Sequence, residues 1–575
     1  MDRLSLPPLA PPPFTRRFVR IVFMLACTTG FAWSSPAGAA DFACPGGDVQ
    51  CLIDAITASN QNQEANTIHL AAGTYSLLTV NNFDSAGRPA AGLPVIVGNV
   101  AISGITADTT IIERANYRQQ PTTNLFRIFN VALTGRLLLD RVTMRGGNQG
   151  SREASYAGGI LSQGIVSITN SRLTENFATM AGVLGIASGT LTVQDSWLTR
   201  NSVGFGGDLV SIGNSLLPGA TGIAKAAIVR TTISDNYVQE GAAIGVFALG
   251  AAAIDRVTIV RNGGIGAFGI VAIGTVTVSN STVANNPLSP SIGVAIFARA
   301  DSLVVNSTIV NNRTGVEGPM RIWNSIIVGH VGGNCLGAVT SLGHNLIGGE
   351  AGGCKGLLPS DIIIPFKPPF NSSEAALSAV LTDAGLGSLM DGGRPGEGHI
   401  PLLAGSPAID AADPTACPAT DQRQLARPID GNADGVRSCD IGAVEFHPVV
   451  NDLLQLDGVT GHYVPPATDP NPLAAGGEFR VAATFTDSTG QGICHLAFEV
   501  VTLEAQSAPP LMLTATGDAL GGEGIVIPAP LASGEPHLAA GAQRRCQFRI
   551  GVSAPEAITF FVNALGEPAI TPCTP

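Results

Sequence analysis

The chain has 575 residues, 45% of them hydrophobic, and that apolar fraction excludes wholesale disorder. Its 43 acidic residues outnumber 31 basic ones, for a net charge of −12, which argues against nucleic acid and anionic membranes as partners. Seventy glycines, three lysines, 5% aromatic and 13% charged residues predict thin strands and frequent turns, with Ile, Val and Ala inside and Ser, Thr, Asn and Gly outside.

Residues 1–40 read as a signal peptide. Arg16, Arg17 and Arg20 precede the apolar run Ile21 to Trp33, and Ala37-Gly38-Ala39-Ala40 supplies the small residues a signal peptidase needs. The run is too short and wrongly flanked for a retained span. It also continues past Cys27, which argues against lipidation at Met24-Leu25-Ala26-Cys27. The expected localisation is secreted or cell surface, with no transmembrane span after signal removal. In an oxidising compartment the remaining cysteines are expected as Cys44–Cys51, Cys335–Cys354, Cys417–Cys439 and Cys494–Cys546, leaving Cys573 odd.

Residues 41–90 supply an N-terminal cap and first strand. Asp48 precedes Val49, Leu52, Ile53 and Ile56 at helical spacing, which predicts one amphipathic helix laid over the first rung of whatever follows. The strand Asn66 to Leu70 and the turn Ala72-Gly73-Thr74-Tyr75 then begin the coil.

Residues 91–330 contain a recurring phrase: an aliphatic residue, a gap, Asn or Asp then Ser, another aliphatic, then Asn. It reads Ile168 to Asn176, Val193 to Asn201, Val278 to Asn286, Val304 to Asn312 and Ile322 to His330, with looser copies at Ile228 to Asn236 and Ile254 to Asn262. A unit this short cannot enclose a core alone, so its repetition predicts a solenoid. Ile168, Val193, Ile228, Ile254, Val278, Val304 and Ile322 form one aliphatic column. Leu173, Leu198, Ile233, Ile259, Val283, Ile309 and Ile327 form a second. Alternation with period two and β-branched residues make the flanking segments short strands. The Asn-Ser pair between the columns is a corner, since Asn and Asp tolerate left-handed backbone and a side-chain amide can bond its copy one rung away. Strands stacked and coiled in this way make a parallel β-helix.

Residues 331–446 close the coil, and residues 447–575 change character: Pro thickens at 465–472, and alternating stretches such as Phe479 to Phe485 and Cys546 to Ile550 predict a small β-sandwich. The expected fold class is therefore all-β, a parallel β-helix solenoid with an N-terminal capping helix and a C-terminal β-sandwich-like domain.

Two segments carry a resemblance. Cys51-Leu52-Ile53-Asp54-Ala55-Ile56, followed by Asn66 to Tyr75, resembles the start of bacterial secreted right-handed β-helix proteins with a C-(S/T)-L-R-(E/D)-A-I segment, although the Arg of that segment is Ile53 here. Ser341 to Leu346, Leu402 to Asp410, Cys417 to Arg423 and Cys439 to Glu445 resemble the closing region of choice-of-anchor Q proteins. Together these matches span most of residues 41–446 and imply a right-handed parallel β-helix at the cell surface. They imply no activity, and no LPxTG-like motif or terminal barrel pattern follows Glu445.

Chemistry is sparse. Just before each rung's Asn, the outward column reads Glu175, Arg200, Asp235, Arg261, Asn285 and Asn311, whose alternating signs predict a surface ion-pair row. Pectate-lyase-like β-helices are similar in setting carboxylates that hold Ca²⁺ beside an Arg base, which makes Arg200, Asp235, Arg261 and Glu175 the alternative lyase site. Glycoside hydrolysis would need two carboxylates about 5 to 9.5 Å apart. Trp197 is the single candidate ring for a sugar, and His344 reads as a turn residue. Asp430-Gly431-Asn432-Ala433-Asp434-Gly435 matches the first half of a Ca²⁺ loop, so Asp430, Asn432, Asp434 and Asp440 are candidate ligands for structural Ca²⁺, while an Asx-rich turn explains the same residues. The functional expectation is a non-catalytic extracellular scaffold for adhesion or surface interaction, with a glycan or surface protein as partner. The alternatives are a polysaccharide lyase or glycoside hydrolase acting on acidic polysaccharide, and glycan binding without turnover.

Overall fold

The aliphatic columns predicted from the repeat are stacked strand partners. In the computed structural model Ile168 pairs in parallel register with Val193, then Ile228, Ile254, Val278, Val304 and Ile322. The second column runs likewise from Leu173 through Leu198, Ile233, Ile259, Val283 and Ile309 to Ile327. The structure describes residues 39–62, 64–83, 89–119, 124–150, 155–218, 220, 222–264, 268–286, 293–348, 354–365, 374–466, 472–514, 519–529 and 537–569. The expected signal peptide, apart from Ala39 and Ala40, and Cys573 lie outside them.

The chain is all-β, dominated by long parallel sheets. A third parallel stack, nine strands deep, aligns Phe129, Ile160, Leu184, Val210, Ile244, Ile270, Ile296, Val316 and Cys335. The inward side chains of these stacks share one elongated core running from Cys44 to Ile347. Each fully buried Val, Leu or Ile contributes about 1.5–3 kcal/mol relative to exposure, and no unit could gain this without its neighbours.

Helix Val49–Ser59 starts where Asp48 accepts a hydrogen bond from the Cys51 amide at 2.9 Å, an N-cap that satisfies one orphan donor. It buries Leu52, Ala55 and Ile56 against the first strands. Parallel pairing begins earlier than Asn66, because Asp41–Cys44 precedes the helix and pairs with Ala65–Leu70. A four-residue strand followed at once by Pro45 is too short to show a periodicity, so the sequence does not advertise it. Pairing also continues past residue 330, to Ile362–Ile364 against Leu346–Gly348. Cys44–Cys51, Cys335–Cys354 and Cys417–Cys439 are bonded, the first tying the initial strand to the helix.

After helix Glu374–Asp383 the chain is mostly turns, and it lies over the outward face of the short strands between the corners. Thr258 donates to the Gly398 carbonyl at 2.7 Å, Thr282 to Gln422 Oε1 at 2.7 Å, and the Ala443 amide donates to Thr308 at 3.0 Å. Beneath these bonds Val260, Ala284, Val310, Ile326 and Leu346 join Ile400, Ala408, Ile441 and Val444 in a second core.

The described residues between 454 and 568 form two antiparallel sheets. Leu454–Val464, Gly477–Asp487, Gln543–Val552, Leu511–Leu513 and Ala519–Gly521 make one; Val526–Pro528, Ile493–Ala505, His537–Leu538 and Ile558–Pro568 make the other. They share a core in which Phe498 stacks on Phe485 at 5.0 Å and meets Phe548 edge-on at 5.6 Å.

The expected Cys494–Cys546 bridge does not form. Cys546 is a buried free thiol opposite Ala483 in the five-stranded sheet. Cys494 lies in the other sheet, opposite His537 and Glu567, and its disulfide partner lies outside the described residues. Membership of one domain does not reveal which of its two sheets a strand joins, and the strands carrying Cys494 and Cys546 join different ones. No described helix is long and apolar enough to cross a membrane.

Candidate functional site

The corners of the stacked units are held in left-handed backbone over many rungs. Arg141, Asn170, Asp195, Arg230, Arg256, Asn280, Asn306, Asn324 and His344 have φ between 42° and 55°. Glu175, Arg200, Asp235, Arg261, Asn285 and Asn311 form the second corner at 51° to 56°. Asn and Asp suit this conformation. The arginines occupy it because the strands on both sides are already locked in register.

The residue after each second corner turns inward. Asn176, Asn201, Asn236, Asn262, Asn286 and Asn312 are nearly fully buried, and each of the first five donates from Nδ2 to the next Oδ1 at 2.8 to 3.2 Å. The same Oδ1 atoms accept the backbone amides one rung below. His330 ends the row, its Nδ1 accepting from the Asn312 amide at 3.2 Å, and burial pushes its pKa down to about 4. At the Asn-Ser corner, where the amide ladder was expected, the rung-to-rung bonds come instead from hydroxyls: the Ser171, Ser281 and Ser307 amides donate to Ser196, Ser307 and Ser325. Asn170 and Asn280 reach Asp140 and Asp255.

Among the described residues the outward column forms one ion pair of its own, Asp235 with Arg261, so the expected row of alternating charges is present only in part, and its other partners come from elsewhere. Glu175 is held by Tyr117 Oη and by the Arg118 guanidinium at 2.7 Å, both nearly sixty residues upstream. Burial works to raise its carboxyl, yet the bonds from Arg118 and Tyr117 hold it below the ordinary value. Asp235 is likewise lowered against its own burial, by hydrogen bonds from Arg261 and Ser234. Arg261 binds Asp235 at 2.9 Å and Asp391 at 2.8 Å, while the charge of Arg200 acts on both Glu175 and Asp235. Glu175 and the Asp235–Arg261 pair therefore stand on one row in two ion-pair groups, with Arg200 acting on both through its charge alone. A further pair at the other corner joins Arg230 to Asp195 at 2.6 Å; the two stand in successive copies of one column, and opposite signs one copy apart are the signal that could have found them.

A general acid must hold its proton near neutral pH, which calls for a raised pKa. Glu175 and Asp235 are shifted the opposite way. Burial raises Asp208 to about 7, but this side chain is enclosed inside the nine-stranded sheet. Trp197 is not a bare platform either, since the Arg172 guanidinium sits 5.2 Å above its ring, a cation–π arrangement.

The motif Asp430 to Gly435 folds into an Asx-rich turn. Asp430 accepts the Asp434 and Gly435 amides at 3.1 and 2.9 Å, Asn432 accepts Asp434 at 2.9 Å, and Asp434 accepts Val436 at 2.8 Å. Asp440 does not join them. It is buried, accepts the Asp410 amide at 2.7 Å and that of Phe446, and burial raises it to about 7. Asp410 instead closes on the loop, accepting the Asn432 amide at 2.8 Å. The loop oxygens thus accept the loop's own amides, and no group of three or more His, Cys, Asp or Glu among the described residues is arranged to hold a metal. His344 is a left-handed corner residue whose Nδ1 lies 2.8 Å from the Ala411 carbonyl. Comparison with protein-family models gives no match for this chain, and comparison with curated proteins gives none.

Proposed function

We propose that the stacked parallel sheets form a right-handed parallel β-helix of the choice-of-anchor Q type, exported by its N-terminal segment. Its role is a non-catalytic extracellular or cell-surface scaffold for adhesion or surface interaction, with a glycan or surface protein as partner. The observation that carries this reading is the state of the outward ladder: Glu175 and Asp235 are each held ionised by a guanidinium, so neither is poised to donate the proton a glycoside hydrolase needs, and Arg261, the base a lyase would need, is pushed above its ordinary value by its bonds to Asp235 and Asp391. Three disulfides among the described residues suit an oxidising compartment.

The test is turnover by the mature chain on uronic-acid and neutral polysaccharides, with and without Ca²⁺, followed through unsaturated product and reducing ends. No turnover is expected. Activity that disappears in Asp235→Ala or Arg261→Ala protein would overturn the reading and place a lyase or hydrolase site on the ladder.

A further inference from the structure

Residues 447–575 contain twelve Asp and Glu against four Arg: Arg480, Arg544, Arg545 and Arg549. Three of the four arginines nevertheless line one cavity of about 440 Å³, with His462, Thr460 and Gln547. A volume of this size falls within the roughly 300–1,000 Å³ of small-molecule sites.

Strand register explains the convergence. Across three neighbouring strands of the five-stranded sheet, His462, Arg480 and Arg549 stand in one row, Thr460, Ala482 and Gln547 in the next, and Gly458, Thr484 and Arg545 in the third. Residues two apart on a strand share a face, so all three rows present to the same side. Ala482 and Gly458 leave low ground between the long side chains. Glu478 fixes one wall: it binds Arg549 at 2.7 Å and Arg480 at 2.9 Å, and bonding from Arg549 pulls its carboxyl down to about 2. Three guanidiniums against Glu478 and, one row beyond Arg545 on the same face, Asp457, which accepts from Gln543 at 3.0 Å, still leave the trough net positive on a strongly acidic chain. Among the described residues the side chains of Arg545, Gln547, Thr460 and His462 make no hydrogen bond or ion pair, so their donors remain for a ligand.

We propose that this trough binds a carboxylate-bearing glycan, with Arg545 as the principal anion contact and Thr460, His462 and Gln547 taking sugar hydroxyls. A planar carboxylate matches the guanidinium fork, and the cavity is larger than a bare inorganic anion fills. The proposal does not rest on the inertness of the corner ladder: turnover elsewhere leaves it standing, and loss of binding here leaves the scaffold reading standing.

The experiment is calorimetric titration of the full chain with an oligogalacturonate, a neutral cello-oligosaccharide of equal length, and inorganic phosphate. The acidic oligomer should bind, the neutral one should not, and phosphate should compete only in large excess. Arg545→Ala should weaken binding about tenfold or more, with Arg545→Lys retaining part of it. Gln547→Ala, at a second exposed position, should weaken it without altering the melting curve. No binding, undiminished affinity in the folded Arg545→Ala protein, or phosphate competing on equal terms would overturn the assignment, the last by reducing the trough to a simple anion site.

Discussion

Asn236→Ala tests whether the buried amide row holds the stacked units together. The Asn236 side chain donates to the Leu198 carbonyl at 2.9 Å and to Asn262 Oδ1 at 2.8 Å, and its Oδ1 accepts the Asn201 amide at 2.9 Å and Asn201 Nδ2 at 3.1 Å. Alanine removes all four bonds. A buried polar group left unsatisfied costs about 1–3 kcal/mol, and each ordinary bond about 0.5–1.5 kcal/mol, so the loss is expected at about 2–4 kcal/mol. Asn236→Asp sharpens the test. It keeps the acceptor for Asn201 but sets a carboxylate against two other oxygens, so it should destabilise at neutral pH and recover as acid protonates it. The comparison is Asn285→Gly, at a left-handed corner (φ 51°) with no side-chain hydrogen bond among the described residues, expected within about 0.5 kcal/mol. Denaturant midpoints at constant slope give the differences. Because stacked units need not unfold as one, amide exchange on the rungs around residue 236 provides the local readout. If Asn236→Ala loses no more than Asn285→Gly, the row is incidental to stability.

Two further outcomes follow from buried groups. Asp208 is raised to about 7 by desolvation, so the folded chain holds that proton more tightly than the unfolded chain does. Its contribution to stability is therefore present at low pH, falls as pH rises from about 4 through 7, and is flat above. Asp208→Asn retains an acceptor for the Ala242 amide and should flatten that slope in denaturant titrations across pH, whereas an unchanged slope would refute the assignment. Alkylation without reduction should label Cys546 only after denaturation and leave Cys494 unlabelled throughout. A peptide cross-linked through Cys494 and Cys546 would contradict the separate environments of the two sulfurs.

What the sequence by itself determined is whatever recurs in every unit. Ile168 and its copies each meet the same neighbours one rung away, so side-chain type alone marks the inward columns, and Asn or Asp marks many of the left-handed corners, although arginines stand at others. Helix Val49–Ser59 was legible for a similar reason, since its cap and apolar spacing lie within a dozen residues. Tertiary structure alone decided the contacts made once. Tyr117 meets Glu175 across 58 residues, Arg261 meets Asp391 across 130, and Thr282 meets Gln422 across 140. The covering segment has no period that could announce the face it lies on. The same holds for Cys546, which pairs with Ala483, 63 residues away in the chain, and for the arginine trough, which needs three strands in register before Arg480, Arg545 and Arg549 become neighbours. Local geometry repeats and can be read along the chain, whereas a partner chosen by long-range burial leaves no local mark.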